Sequence, residues 1–169
     1  RMGFVNKMDR QGSNFLNVCQ QVKDMLKSNA VAITLPIGEE NDFKGVVDLV
    51  KNQAIVWHDA TQGATFDIVP IPEDMLAEVK EYRSILIEAV ADYDENLLEK
   101  FVADEDISAE ELKAALRKGC LDSTFIPMFC GSAFKNKGVQ FLLDGVCRYL
   151  PSPLDKEAIV GINPETELE

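Results

Sequence analysis

The residues that could do chemistry lie near the start of the chain, in the run Asn6-Lys7-Met8-Asp9. A carboxylate such as that of Asp9 can accept two roughly parallel hydrogen bonds, from the N1–H and the N2 amino group of guanine. Adenine lacks both donors and would leave the carboxylate unpaired. Asn6 can supply an amide to the N7/O6 side of the base, and the stem of Lys7 can cover the base face. The pattern N-K-x-D therefore predicts guanine recognition.

The sequence around this run predicts a strand, a loop and a helix. Residues 2–5 are apolar and typical of the end of a β-strand, and an amphipathic helix is predicted over residues 13–28. Ligands of open α/β sheets bind where the strands end, which is the position of this run. An ordinary polar turn after the strand is the alternative, because Asn and Asp are common turn formers.

A second loop of the same kind is predicted further along the chain. The apolar run 125–130 is rich in β-forming residues, ends at Gly131-Ser132-Ala133 and is followed by helical periodicity over residues 139–150. Small side chains let a backbone N–H approach guanine O6 closely, so Ser132 and Ala133 are predicted to complete the base site. Two loops of this kind favour guanine binding over the polar turn.

Four segments carry a resemblance to a known family. They are NKMDR at 6–10, GVVDLV at 45–50, GSAFKNKGVQ at 131–140 and YLPSPLD at 149–155. Through them, and over nearly its whole length, the chain is similar to the bacterial elongation factor G family of translational GTPases. Phe134 stands where many small GTPases have lysine, and this family tolerates an apolar residue there.

The resemblance implies a fold, a ligand and a cellular role. The fold would be α/β, the C-terminal part of a P-loop-type GTPase domain with an inserted α+β subdomain that has a mixed sheet and acidic helices. Asn6, Lys7 and Asp9 with Ser132 and Ala133 would hold the base of GTP or GDP. The longer protein would be a cytoplasmic GTPase that binds the ribosome and promotes translocation in protein synthesis.

The phosphate-binding half of such a site is missing from the sequence. There is no G-x-x-x-x-G-K-[ST], the loop that cradles phosphates and supplies a magnesium-binding hydroxyl. With Arg1 in place of an initiator methionine, this leads us to expect a fragment whose missing part lies before residue 1. We therefore expect no catalytic residue and no metal ligand here, magnesium only through the missing part, and no hydrolysis by the chain alone.

Acidic residues are concentrated in one part of the chain. The net charge is −12, and residues 73–111 hold fourteen Asp or Glu against three Lys or Arg. Such a segment repels nucleic-acid phosphates, so it is either a solvated surface or a docking face for a protein. The resemblance implies the C-terminal domain of a ribosomal stalk protein as that partner.

The contact with the stalk protein is predicted on the helix from Glu73 to Asp92, with Glu78, Glu81 and Glu88 as the residues to test. Two alternatives to the elongation factor interpretation stay open. The chain could be a stand-alone interaction module that docks the stalk protein through its acidic helices. It could also come from a paralogous translational GTPase.

The resemblance and the hydrophobic pattern together predict an organisation in four segments. These are GTPase-domain parts at 1–28 and 124–151, an inserted subdomain at 29–123 and a linker at 152–169. The insert is expected to begin with strands and continue with helices that start at Pro72, Asp94 and Ser108, the last with a capping box and a stop at Gly119. The strands are predicted over 31–37, 44–50, 53–58 and 65–69, with the middle two as a hairpin.

Composition excludes several classes of protein. The four cysteines show no C-x-x-C spacing, and we expect buried, reduced thiols rather than disulfides or a zinc site. His58 has no histidine or cysteine partner at ligand spacing and receives no role. Trp57 is expected to pack in the hairpin rather than to bind a ligand. No apolar run reaches the roughly 18 residues of a membrane span.

Overall fold

The computed structural model describes residues 1–91, 94–103 and 105–155. Its strands are β1 (Gly3–Val5), β2 (Ala30–Ala32), β3 (Thr34–Ile37), β4 (Gly45–Asp48), β5 (Gln53–Trp57), β6 (Phe66–Val69) and β7 (Ile126–Cys130). A parallel sheet has the order β1-β7-β2, so the last strand in sequence lies between the first two. An antiparallel sheet runs from β3 to β6 in chain order. The antiparallel pairing of β4 with β5 confirms the predicted hairpin.

Helices precede and follow the strands that carry the predicted site. The helices in the described ranges are α1 (Phe15–Leu26), α2 (Leu76–Ala91), α3 (Glu95–Val102), α4 (Ala109–Leu121) and α5 (Val139–Tyr149). The helix α1 follows the first predicted loop and α5 follows the second. Both sheets and the helices share one continuous apolar core.

The prediction of a single strand over residues 31–37 is wrong in one respect, because the structure has two strands there, β2 and β3. The Ile33 N–H donates to the carbonyl of Met128 in β7 at 2.9 Å, and the Ile33 carbonyl accepts from the N–H of Leu49 at 3.0 Å. The chain therefore passes from the parallel to the antiparallel sheet at Ile33. A continuous apolar run cannot reveal such a change of hydrogen-bonding partner.

The helix starts predicted at Asp94 and Ser108 are confirmed. The Asp94 side chain accepts from a backbone N–H in the first turn of α3, and Ser108 forms a reciprocal capping box with Glu111 at α4. The predicted stop at Gly119 is wrong, since Gly119 is buried inside α4. The physical reason is tertiary, because the next residue, Cys120, is buried in the core and keeps the chain helical.

The long helix α2 packs its apolar stripe into the core as predicted. Val79, Leu86 and Val90 are buried, and a 3-10 turn at Glu73–Met75 leads into the helix after Pro72. The helix α2 contacts β2 of the parallel sheet, and α3 and α4 pack beside it.

An aromatic cluster joins the antiparallel sheet to α5. Trp57 of β5 lies 5.9 Å from Phe66 of β6 and 5.7 Å from Phe141 of α5 between ring centroids. Trp57 is only 3% exposed, which confirms it as a packing residue. Tilted and edge-on ring contacts of this kind stabilise a core beyond the area they bury.

The cysteines are free thiols, and their burial differs from the expectation at one position. Cys19, Cys120 and Cys130 are buried, whereas Cys147 is exposed on α5. Burial raises the pKa of the Cys130 thiol to about 12, so this group stays protonated at neutral pH. No helix in the described ranges is long and apolar enough to cross a membrane. Asp92, the predicted end of the acidic helix, and residues 156–169 of the predicted linker lie outside the described residues.

Candidate functional site

The two predicted loops are neighbours because they leave adjacent parallel strands. Val5 at the end of β1 is in register with Cys130 at the end of β7. The Gly131 N–H donates to the Val5 carbonyl at 3.1 Å, and the Met8 N–H donates to the Gly131 carbonyl at 3.1 Å. The fold therefore brings both loops to one edge of the parallel sheet, where ligands of α/β folds bind.

Asn6 ties the two loops together through its side-chain oxygen. Asn6 Oδ1 accepts from the N–H of Lys7 at 2.8 Å and from the N–H of Ala133 at 2.9 Å, across 127 residues of sequence. The acceptor of the amide is thus occupied by backbone donors. Its Nδ2 group keeps the capacity to donate to a ligand. The Ala133 N–H is directed at Asn6 and would have to share or exchange that bond to reach a base oxygen.

Asp9 is a buried carboxylate held in its charged form. The Asp9 residue is only 8% exposed. A hydrogen bond from the Ser132 side chain lowers the pKa of Asp9, helped by a backbone hydrogen bond and by the charges of Lys135 and Arg10, while burial opposes them. The group is therefore ionised at neutral pH and can only accept hydrogen bonds. An acceptor-only group is what the N1–H and N2 donors of guanine require.

A tight turn presents the first loop. Lys7 has a φ of 65°, in the left-handed region that few residues other than glycine adopt, and its carbonyl accepts from the Arg10 N–H at 3.0 Å. Met8 is buried beneath the turn, and the Ser13 hydroxyl donates to its carbonyl at 2.8 Å. Lys7 itself stays exposed at the rim, where its stem can cover a base.

The second loop is closed on itself by backbone hydrogen bonds. Ser132 and Lys137 exchange N–H to carbonyl bonds of 2.9 and 3.0 Å, and the Ser132 hydroxyl accepts from the Lys135 N–H at 3.3 Å. Gly131 allows this closure, since a Cβ there would collide with the Lys137 carbonyl and would also meet the Phe4 ring at 2.9 Å. Ser132 is buried and Ala133 is exposed beside Asn6.

Sequence reasoning missed the residues that brace the loops from the inserted segment. Lys137 is 1% exposed, and its Nζ lies 2.7 Å from Asp59 Oδ1 and donates to the Phe43 carbonyl at 3.1 Å. Glu40 Oε1 accepts from the Gly12 N–H beside the first loop at 2.7 Å. No local pattern marks these residues, because their partners are far away in sequence.

Comparisons with known proteins agree with this geometry. The sequence profile of the family "Elongation factor Tu GTP binding domain" matches residues 1–152. Elongation factor G of Cytophaga hutchinsonii is 63% identical over 100% of the chain and 24% of that protein. Elongation factor G of Amoebophilus asiaticus is 53% identical over 99% of the chain and 24% of that protein. The chain thus spans about a quarter of the length of these relatives.

A solved structure shows the same fold. A crystal structure of a Thermus thermophilus protein superposes with a TM-score of 0.77 at 25% identity, over 92% of the chain and 23% of that protein. Together with the relatives, it confirms the predicted fold class and the predicted resemblance to elongation factor G. Because the profile covers most of its residues, the chain belongs to the family of elongation factor Tu GTP-binding domains.

Proposed function

We propose that the chain is the guanine-recognition part and the inserted subdomain of an elongation factor G, the GTPase that promotes ribosomal translocation in protein synthesis. The junction of the two loops carries this proposal. There the ionised Asp9 carboxylate meets Ser132, and Asn6 meets Ala133. The names of the relatives support it for the longer protein.

Each residue of the junction has a distinct part in holding the base of GTP or GDP. Asp9 accepts from guanine N1–H and N2, and Ser132 fixes the direction of that carboxylate. Asn6 donates its amide N–H to the N7 side while its oxygen stays on the backbone. Lys7 covers the base face, and the loop at Ala133 provides a backbone donor for O6. The occupied oxygen of Asn6 and the ionised Asp9 carboxylate support these roles, whereas the Ala133 N–H, which donates to Asn6, would have to share that bond to reach O6.

The other parts of the longer protein complete the reaction. The 169 residues contain no G-x-x-x-x-G-K-[ST] loop, so the phosphates and magnesium would be bound by the other parts of the longer protein. Residues 1–28 and 124–151 form the GTPase-domain parts, 29–123 the inserted subdomain and 152–169 a linker. The longer protein is cytoplasmic and works on the ribosome.

The chain by itself is expected to bind GDP at least about a thousandfold more weakly than the full-length protein, because charge-assisted phosphate contacts supply much of nucleotide affinity. Isothermal titration of GDP into both proteins measures the difference. ADP serves as the control ligand, and full-length protein should discriminate strongly against it. Submicromolar binding of GDP by the chain alone would contradict the division between base and phosphate sites.

A second function, docking of a stalk protein, is favoured by the exposed face of α2. Glu81 and Glu88 are exposed two helical turns apart, and Ile85 between them is 36% exposed. In the described ranges, neither glutamate forms an ion pair. By contrast, other acids of the segment are paired, such as Glu111 with Lys100. We propose that this face docks the C-terminal domain of the ribosomal stalk protein.

Reversing the charges of this face is expected to abolish the contact. NMR titration of the isotope-labelled stalk domain with the full-length protein should show shifts at low salt that shrink as salt screens the pair. The double variant Glu81→Lys/Glu88→Lys should lose them, whereas Asp24→Lys/Glu99→Lys, with the same change of charge on α1 and α3, should keep them. Equal shifts with both double variants, or none with the unaltered protein, would leave the acidic face as solvated surface.

A further inference from the structure

The second guanine loop is held by the inserted segment as well as by its own strand. Lys137, at the end of that loop, reaches away from the sheet and buries its ammonium group between Asp59 and the carbonyl of Phe43. Both partners belong to loops of the antiparallel sheet. A buried ammonium is unstable without such partners, so these contacts fix where the loop can lie.

A second contact between the same two segments fixes the loop from another side. The Asn136 Nδ2 group donates to the Gly63 carbonyl at 3.3 Å. Gly63 has a φ of 72°, and a Cβ there would meet the carbonyls of Lys135 and Asn136, the latter at 2.8 Å. The turn that contains Gly63 therefore lies directly against the backbone of the guanine loop, with no space between them.

We infer that Lys137 is a positioning residue through which the inserted segment sets the place of the Ser132–Ala133 backbone, and so the strength of guanine binding. Lys137 and Ser132 exchange two backbone hydrogen bonds, so displacement of one moves the other. The next residue, Ala133, carries the backbone N–H that donates to Asn6 Oδ1 at the edge of the proposed base site. The lysine acts on the base through this chain of contacts and touches no part of the ligand itself.

The inference rests on the proposed guanine site, and the lysine affects one contact with the base more than the others. Loss of the Lys137 side chain leaves the Phe43 carbonyl unpaired and frees the loop to shift. That shift is expected to weaken the contact between the loop backbone and guanine O6 more than the other base contacts. Contacts of Asp9 with N1 and N2 depend on the first loop, which has its own bracing at Glu40.

The test compares GDP with 6-thio-GDP in the full-length protein. The thio compound keeps the N1 and N2 donors but replaces O6 with a weak acceptor. Unaltered protein is expected to prefer GDP. Lys137→Met is expected to lower the affinity for GDP about tenfold, because the displaced loop loses its backbone hydrogen bond to O6. The affinity for 6-thio-GDP should fall much less, so that the preference for GDP narrows. Fluorescent-nucleotide displacement gives the binding constant of each ligand, and stopped flow gives its dissociation rate.

Two further variants separate positioning from folding. Lys44→Met is the matched control, since Lys44 is exposed next to Phe43, and it should bind both ligands as unaltered protein does. Asp59→Ala removes one partner of Lys137. The Asp59 side chain is itself 79% exposed, so the substitution is expected to leave the fold intact. It should narrow the preference for GDP in the same direction, by roughly two- to threefold. Thermal unfolding reports the stability of each variant.

The outcomes are distinguishable from failure of the guanine site itself. If unaltered protein fails to bind GDP, the proposed function is wrong and the inference falls with it. If unaltered protein binds GDP and Lys137→Met lowers the affinity for both ligands by the same factor, the lysine merely supports the fold, and the inference is overturned. The inference is also overturned if Lys137→Met folds and binds both ligands as the unaltered protein does. If Lys137→Met does not fold, unchanged binding by Asp59→Ala overturns it. A narrowed preference in either folded variant supports it.

Discussion

In the full-length protein, Asp9→Asn is expected to reverse the base preference from guanine to xanthine. The ratio of the two affinities should change by about a hundredfold or more. The variant amide can accept from xanthine N1–H and donate to the C2 carbonyl. Guanine presents an amino group at C2, where it meets another donor. Because an amide oxygen can still accept from the Ser132 hydroxyl, the bond that joins the two loops is expected to survive.

Direct titration of each protein with fluorescent GTP and, separately, with fluorescent XTP measures this change. Asp9→Ala is the matched control, since it removes the guanine contacts without providing a donor for xanthine. It should lose GTP binding and gain nothing for XTP. If Asp9→Asn keeps the original preference for GTP over XTP, Asp9 does not contact the base, and the geometry of the junction would need another explanation.

Ionisation of Asp9 also connects the site to stability. The pKa of this group is lowered in the folded chain, chiefly by the Ser132 hydrogen bond. A carboxyl group whose pKa is lower when folded adds stability above its unfolded pKa. That contribution is lost as the pH falls through the lower, folded value. The site is therefore fully charged at neutral pH, where the partner ligand would meet it.

The sequence was sufficient for features that depend on local pattern. The N-K-x-D run, the apolar strand before it and the small residues at 131–133 predict both loops without reference to contacts. The capping residue Ser108 is likewise visible three positions before Glu111. Such features are set by the residues themselves and their near neighbours, so a single sequence contains them.

Features that depend on distant contacts could not be predicted. Ile33 is apolar like its neighbours, yet it is where the chain changes sheets. Lys137 resembles any other polar residue of a loop, and only the fold places Asp59 and Phe43 around it. Gly119 carries the usual signal for a helix end, but burial of the next residue overrides it. In each case tertiary packing decides between local alternatives of similar energy.

Asn6 offers the sharpest separation between holding the loops and holding the base. Its oxygen accepts two backbone N–H groups, and its nitrogen is assigned to the ligand. Asn6→Asp has the same shape and keeps both acceptor bonds, but it cannot donate. It also places negative charge beside guanine N7 and O6, which are acceptors. We expect this variant of the full-length protein to lose GDP affinity about a hundredfold while its loops stay in place.

Asn6→Ala removes both the acceptor and the donor of the side chain. Its comparison with Asn6→Asp therefore separates joining of the loops from binding of the base. With no acceptor at this position, the N–H groups of Lys7 and Ala133 lose their partner, and the left-handed turn at Lys7 loses a bond that stabilises it. The amide resonance of Ala133 should therefore shift in Asn6→Ala and stay near its original position in Asn6→Asp, while GDP binding falls in both. Wild-type affinity in Asn6→Asp would show that the amide nitrogen makes no contact with the base. The role of Asn6 would then be confined to joining the loops.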